Sequence, residues 1–234
     1  MAVRYNPRIV NDGLVLAYDE TNPKSGITSE LRLGRSATTS GSVRNFSQDS
    51  LLETMYADVA QYNSSAAGTG FSLSTWIKRT GNTSGNWDPL IVIESGSPRY
   101  RMIWFGFYSN QTSQIHCSMP YYSTTDTSSY WSVDPTWTNA GVNFNTNEWY
   151  NVCATYNNST RVLSTYIDGN FALSGTRPGA GDLNNPNNAN VSLYGTNETS
   201  YANSQLTAVN FYNKPLTSQE VLQNFNALKG RFKN

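Results

Sequence analysis

Apolar residues along this chain come in short runs of four to eight, separated by clusters of Gly, Asn, Ser, Thr and Pro. That spacing belongs to strands rather than helices. It predicts strands at 14–18, 71–78, 90–93, 100–108, 114–117, 149–156, 162–167, 191–194 and 206–212. Within 71–78, Phe71, Leu73 and Ile77 alternate with Ser72, Ser74 and Lys78, so one face is expected in the core and the other in water. Asp168-Gly169 falls between the run 162–167 and the next apolar pair, Phe171 and Leu173. It reads as a tight hairpin turn in which glycine supplies a positive φ. The polar stretches 118–141 and 174–190 read as long loops.

One stretch has helical rather than strand periodicity. Thr217-Ser218-Gln219-Glu220 matches a capping box, with Thr217 as N-cap and Glu220 at N3. Val221, Leu222, Phe225 and Leu228 follow as one apolar stripe, and Gly230 is placed to end the helix. The expected element is a helix over 217–229, docked on the rim of the sheets, with Pro215 stopping the strand before it. No repeat and no shift in composition marks a second domain, so the chain divides into an arm, 1–13, and one domain, 14–234.

Composition narrows the function classes. Sixteen basic and sixteen acidic side chains leave no formal net charge, which removes the basic footprint of a nucleic-acid binder or a polybasic membrane anchor. Only 14% of residues are charged, against roughly 25% in ordinary domains, and Asn, Ser and Thr make up about a third of the chain. Fifteen Tyr and six Trp supply the apolar surface that disordered chains lack. No run approaches a membrane span. The opening residues lack the apolar core of a signal peptide, which predicts synthesis and maturation in a cytoplasm, with Cys117 and Cys153 as free thiols.

Three stretches in order resemble the laminin-G-like, concanavalin A-like jelly-roll family: Phe71-Ser72-Leu73-Ser74-Thr75-Trp76-Ile77-Lys78; Asn147-Glu148-Trp149-Tyr150-Asn151-Val152-Cys153-Ala154-Thr155-Tyr156 with Tyr166-Ile167-Asp168-Gly169; and residues 206–221. The resemblance implies an all-β, antiparallel two-sheet jelly-roll sandwich with a short C-terminal helix. Trp76 and Trp149 lie in these motifs and are expected in the core. The opening Arg4-Tyr5-Asn6-Pro7-Arg8-Ile9-Val10-Asn11-Asp12-Gly13 and the closing residues 222–232 are similar to a subgroup encoded by tailed bacteriophages of marine and cyanophage type. Residues 26–47 depart from that subgroup, lacking its Trp-containing loop. This likeness implies a virion component, made in the host cytoplasm, with other capsid or tail proteins as partners and possible self-association.

The same family hosts glycoside hydrolases, which place an acid and a nucleophile on one strand at alternate positions, some 5–9 Å apart. No Glu-x-Asp-x-Glu pattern occurs here. His116 is the sole histidine; its neighbour Cys117 points to the opposite face of a strand, which argues against a dyad. The chain is therefore expected to be no enzyme and to carry no cofactor. Asp182, Asn184 and Asn185 form the one calcium candidate, poor in charge, and ordinary turn chemistry accounts equally well for the asparagines. The aromatic stretch holding Tyr121, Tyr122, Tyr130, Trp131 and Trp137 offers flat rings with polar tips. Such rings either stack on the sugars of a host cell-surface glycan or cover a sheet face or a neighbouring subunit. In the arm, Arg4, Tyr5, Arg8 and Ile9 mix charge with apolar surface and suit docking to the particle; the plainer alternative is a strand added to a sheet edge.

Overall fold

A computed structural model describes residues 8–18, 38–40, 43–46, 53–55, 70–81, 87–95, 100–108, 114–120, 130–135, 140–178, 190–193 and 204–233. Two antiparallel sheets form a sandwich. The larger runs in the order β12 (Asn170–Thr176), β11 (Val162–Ile167), β10 (Trp149–Asn157), β5 (Gly70–Arg79), β14 (Ser204–Tyr212), β3 (Val43–Phe46) and β2 (Thr38–Ser40), while β1 (Leu14–Tyr18) lies beside the second half of β14. The smaller runs β4 (Glu53–Met55), β13 (Asn190–Leu193), β6 (Trp87–Ser95), β7 (Tyr100–Tyr108), β8 (Ile115–Pro120) and β9 (Tyr130–Ser132).

β5 is the axis of the larger sheet. It pairs residue for residue with β10, from Trp149 opposite Lys78 to Asn157 opposite Gly70. On its other side β14 pairs with it in two halves separated by a bulge between Thr207 and Asn210. Ala208 takes a φ of 50° there, and the Thr75 hydroxyl donates to the Thr207 carbonyl at 3.0 Å, meeting a group that the broken ladder leaves over. At the head of β5, Gly70 has a φ of 129° and a Cβ would lie 1.8 Å from the Tyr156 carbonyl oxygen. Only glycine fits that approach.

The inner faces of the two sheets meet as expected. Phe71, Leu73 and Ile77 pack with Ile103, Phe105 and Phe107 of β7 and with Val152, Ala154 and Tyr156 of β10. The outer face of β5 differs from the expectation. Ser72, Ser74 and Trp76 are buried, because helix α1 (Ser218–Phe232) lies across the sheet face rather than on the rim. Trp76 stacks between two helix rings, 5.7 Å from Phe225 and 4.6 Å from Phe232. The serines tolerate this cover because Ser72 Oγ donates to the Lys214 carbonyl and accepts from the Leu216 N–H. Trp149 is half-buried at the edge of the layer, with Phe232 5.1 Å away and Lys78 Nζ 5.0 Å over its ring.

The capping box forms as read: the Glu220 N–H donates to Thr217 Oγ1 at 3.3 Å, and the Thr217 N–H donates to Glu220 Oε2 at 2.8 Å. The helix does not stop at Gly230. It runs on to Phe232, since stacking of that ring on Trp76 and Trp149 outweighs one glycine's weak helix propensity. The turn Asp168-Gly169 has φ values of 50° and 78° between paired Ile167 and Asn170, as a two-residue hairpin of the primed kind requires. Helix side chains sit directly over it, and a Cβ on Gly169 would lie 3.0 Å from Leu222 Cδ1.

The end of the arm is part of this second layer. Val10 is buried with Cys153, Tyr166, Tyr212, Leu216 and Val221. Asn224, itself 2% exposed, accepts the Val10 N–H at 2.7 Å and donates to the Tyr212 hydroxyl at 3.0 Å. Gln223 Nε2 donates to the Arg8 carbonyl at 2.8 Å. Arg8 is exposed and Ile9 half-buried, while Arg4 and Tyr5 lie outside the described residues. No described helix is long and apolar enough to cross a membrane.

Candidate functional site

The aromatic stretch begins on β8 and returns on β9. The sequence reading takes residues 118–141 as one polar loop, but Ser118, Met119 and Pro120 pair with Ser132, Trp131 and Tyr130. Tyr and Trp are good strand formers, and short strands of this kind suit a sheet edge. Consecutive strand positions fall on opposite faces, so the positions of Tyr130 and Trp131 do not belong to one flat platform. Tyr121, Tyr122 and Trp137 lie outside the described residues, as do the calcium candidates Asp182, Asn184 and Asn185.

What the structure does fix is the root from which these residues spring. Beyond β9 the chain keeps to β8: the Val133 N–H donates to the Cys117 carbonyl at 2.9 Å, and the Ile115 N–H to the Pro135 carbonyl at 3.1 Å. Asp134 completes the lock. Its Oδ1 accepts the Cys117 N–H at 3.0 Å and lies 3.0 Å from His116 Nδ1, and its Oδ2 accepts the Ser132 hydroxyl at 2.9 Å. Sequence reasoning assigns Asp134 no bracing role. The pattern Ser132-x-Asp134 is the available signal, a short acid returning to its own strand region as turn acids do.

His116 is 6% exposed and held by Asp134. Ser132 gives its hydroxyl proton to the carboxylate rather than to the imidazole. The three side chains therefore line up as histidine, aspartate, serine, with the acid in the middle. That order braces a loop; a nucleophilic serine would need the histidine in the middle. Cys117 points the other way, into the core between the sheets, where burial first, then the nearby Asp134 and Cys153, raises its thiol well above the ordinary range. Cys153 lies in the helix-side layer, pushed up to about 12 by burial against a lowering hydrogen bond from Ser74. Both cysteines are free, and neither is a thiolate near neutral pH.

Among the described residues, Asp134 and Glu148 do not pair for hydrolysis. Glu148 accepts the Tyr150 hydroxyl at 2.9 Å, and hydrogen bonds from Tyr150 and Asn145 hold its carboxyl below the usual range. It leads into the larger sheet, whereas Asp134 follows the last strand of the smaller one. Among the described residues no group of three or more His, Cys, Asp and Glu is placed to hold a metal ion.

A protein-family model described as the concanavalin A-like lectin/glucanases superfamily matches residues 53–222. No curated protein matches the sequence significantly. Among solved structures, the botulinum neurotoxin serotype D binding domain superposes with a TM-score of 0.66 at 17% identity, covering 95% of this chain and 52% of that one. The receptor-binding domain of the botulinum neurotoxin C/D mosaic serotype gives 0.67 at 16% identity, covering 92% and 51%. The binding domain of botulinum neurotoxin DC, solved in complex with rat synaptotagmin II, gives 0.65 at 13% identity, covering 92% and 52%. The chain thus spans about half the length of these structures, and at such identities the likeness concerns the fold.

Proposed function

We propose, from the premise that this chain belongs to the concanavalin A-like lectin/glucanase superfamily, that it is a non-enzymatic recognition module carried on a bacteriophage virion, holding a host-surface glycan against the aromatic stretch 121–137 that follows β8 and spans β9. The observation that carries the glycan reading is the braced root of that stretch. Asp134, with three partners on β8 and β9, fixes the two strands that flank the segment holding Tyr121 and Tyr122, one of which carries Tyr130 and Trp131, and Trp137 follows three residues after Asp134 in the sequence. A preorganised root lowers the ordering cost of binding, and tyrosine and tryptophan are the side chains that meet sugar rings face-on. The binding-domain relatives of the fold are consistent with a recognition role.

The virion setting rests on the likeness of the two chain ends to phage-encoded proteins. Those ends touch, since Arg8 and Val10 are bonded to Gln223 and Asn224, so the resemblance covers one packed unit outside most of the family match. The non-enzymatic reading rests on the absence of a Glu-x-Asp-x-Glu pattern from the sequence and on the described carboxylates Asp134 and Glu148, which belong to different sheets. Two measurements test the proposal. Cross-linking on intact particles should join this chain to capsid or tail proteins, and recovery of the chain only outside particles would reject the virion setting. Incubation with host surface polysaccharide should give binding without new reducing ends, and sustained protein-dependent release would reject the non-enzymatic reading.

A further inference from the structure

We propose that β12 is a self-association edge, along which a second copy of this chain pairs antiparallel about a two-fold axis and joins the two larger sheets into one. β12 ends the larger sheet, with β11 as its neighbour among the described strands. The other strands that end the two sheets, β2, β4 and β9, have three residues each, and edges so short discourage pairing between molecules. β12 runs for seven, Asn170-Phe171-Ala172-Leu173-Ser174-Gly175-Thr176, with no charged residue and no proline to guard it.

Its backbone is placed to accept a further strand. The Arg177 N–H donates to the Arg161 carbonyl at 2.8 Å, and the antiparallel alternation that follows turns the amide groups of Leu173 and Gly175 to β11 and those of Ser174 and Thr176 outward. The Thr165 hydroxyl, which donates to the Leu173 carbonyl from β11 at 3.1 Å, fits that assignment. Ala172 is the extra residue where the register shifts, and Leu173–Thr176 stay in unbroken register with Val162–Thr165. Asn170, Phe171, Ser174 and Thr176 are exposed, so the edge is open to solvent.

Phe171, 56% exposed, and Leu222, 43% exposed, are the large hydrophobic side chains left in solvent among the described residues, and both border the head of this edge. Phe171 meets the Tyr166 ring edge-on at 5.8 Å, on the side of α1, to which Tyr166 is tied through Ser218 at 3.2 Å. Leu222 lies over Gly169, two residues before Phe171. An open, uncharged edge beside exposed apolar side chains is the combination that pairs between molecules. A second copy fits it. A two-fold axis sets β12 against itself antiparallel, each edge supplying the donors and acceptors that the other needs. The strand has no charge to repel its double, the chain carries no formal net charge, and neighbouring Asp168 is held by Lys233 at 2.7 Å. A seven-residue edge, about 24 Å long, with one exposed ring per copy falls at the small end of specific interfaces. The dimer should therefore dissociate in the micromolar range.

Sedimentation velocity of the full chain between about 2 and 200 μM tests this. The chain should pass from monomer to dimer across that range, and Ser174→Lys and Phe171→Ser should each weaken the dimer at least tenfold with an unchanged melting temperature. Hydrogen exchange gives a second reading that needs no variant: the outward amides of Ser174 and Thr176 should exchange more slowly at the high concentration than at the low one. A monomer at every concentration, which would leave the edge to a strand of another protein, would overturn the proposal. So would unaltered association in both variants, or exchange at Ser174 and Thr176 that ignores concentration. None of these readings involves a glycan, so failure here is distinct from failure of the glycan reading.

Discussion

Removing the carboxylate of Asp134 should unlock the loop root. In Asp134→Ala the Cys117 N–H, within a fully buried residue, loses its acceptor at 3.0 Å, and an unmet buried donor costs about 1–3 kcal/mol. The Ser132 hydroxyl loses its acceptor and His116 a carboxylate 3.0 Å away; Ser132 is exposed, so water replaces part of that loss, and the remainder adds on the order of 1 kcal/mol. We expect a total of about 2–4 kcal/mol, or a fall in melting temperature of roughly 5–15 °C for a chain of this size. Asp134→Asn keeps an oxygen for the Cys117 N–H and should cost less than half as much. Urea unfolding of both variants measures the difference, and the same proteins should show glycan affinity falling more in the alanine variant. A cost below about 0.5 kcal/mol for Asp134→Ala, or equal costs for the two, would refute the brace.

The second layer and the glycines give further expectations. Gly70→Ala forces a Cβ to within 1.8 Å of the Tyr156 carbonyl and should cost more than about 3 kcal/mol or prevent folding, read by expression and urea melts. Phe232→Ala removes the ring stacked on Trp76 and Trp149 and should cost about 2–4 kcal/mol, with a red shift in tryptophan emission; Gly230→Ala should not destabilise. Deleting residues 2–10 removes Val10 from its bond to Asn224 and should lower thermal stability measurably. Burial alone would raise the Glu220 carboxyl, but hydrogen bonds from Lys214 and from Thr217 outweigh it and hold it below its usual range. Its contribution is therefore present above the unfolded value, about 4.3, and is lost as pH falls through the folded one. Glu220→Gln should flatten that acid limb of a stability–pH curve.

Much of this fold is legible because strand alternation, the Asp168-Gly169 turn and the Thr217–Glu220 capping box are local signals. β5, β10 and α1 begin within a residue of where the pattern places them. The misreadings are tertiary. Ser72 and Ser74 look like a wet face, yet both are buried, and Ser72 is bonded to the segment Lys214–Leu216 that leads into the helix. Gly230 looks like a stop until Phe232 finds Trp76. Pro89 hides the start of β6 because it sits where the ladder to β7 shifts register, beyond the reach of β13, as an edge proline can. At the site, the aromatic residues are conspicuous in sequence, while Asp134 acts through contacts with β8 that no spacing rule announces.

The most direct test of the central claim is a glycan array probed with the wild-type chain beside a Tyr122→Ala, Trp137→Ala double variant of unchanged melting temperature. A recognition module that reads sugars through the aromatic stretch 121–137, which spans β9, should give wild-type signal on a defined set of surface glycans and lose roughly 5- to 150-fold of it in the variant, the equivalent of about 1–3 kcal/mol. A flat wild-type array, or full signal in the variant, would contradict it.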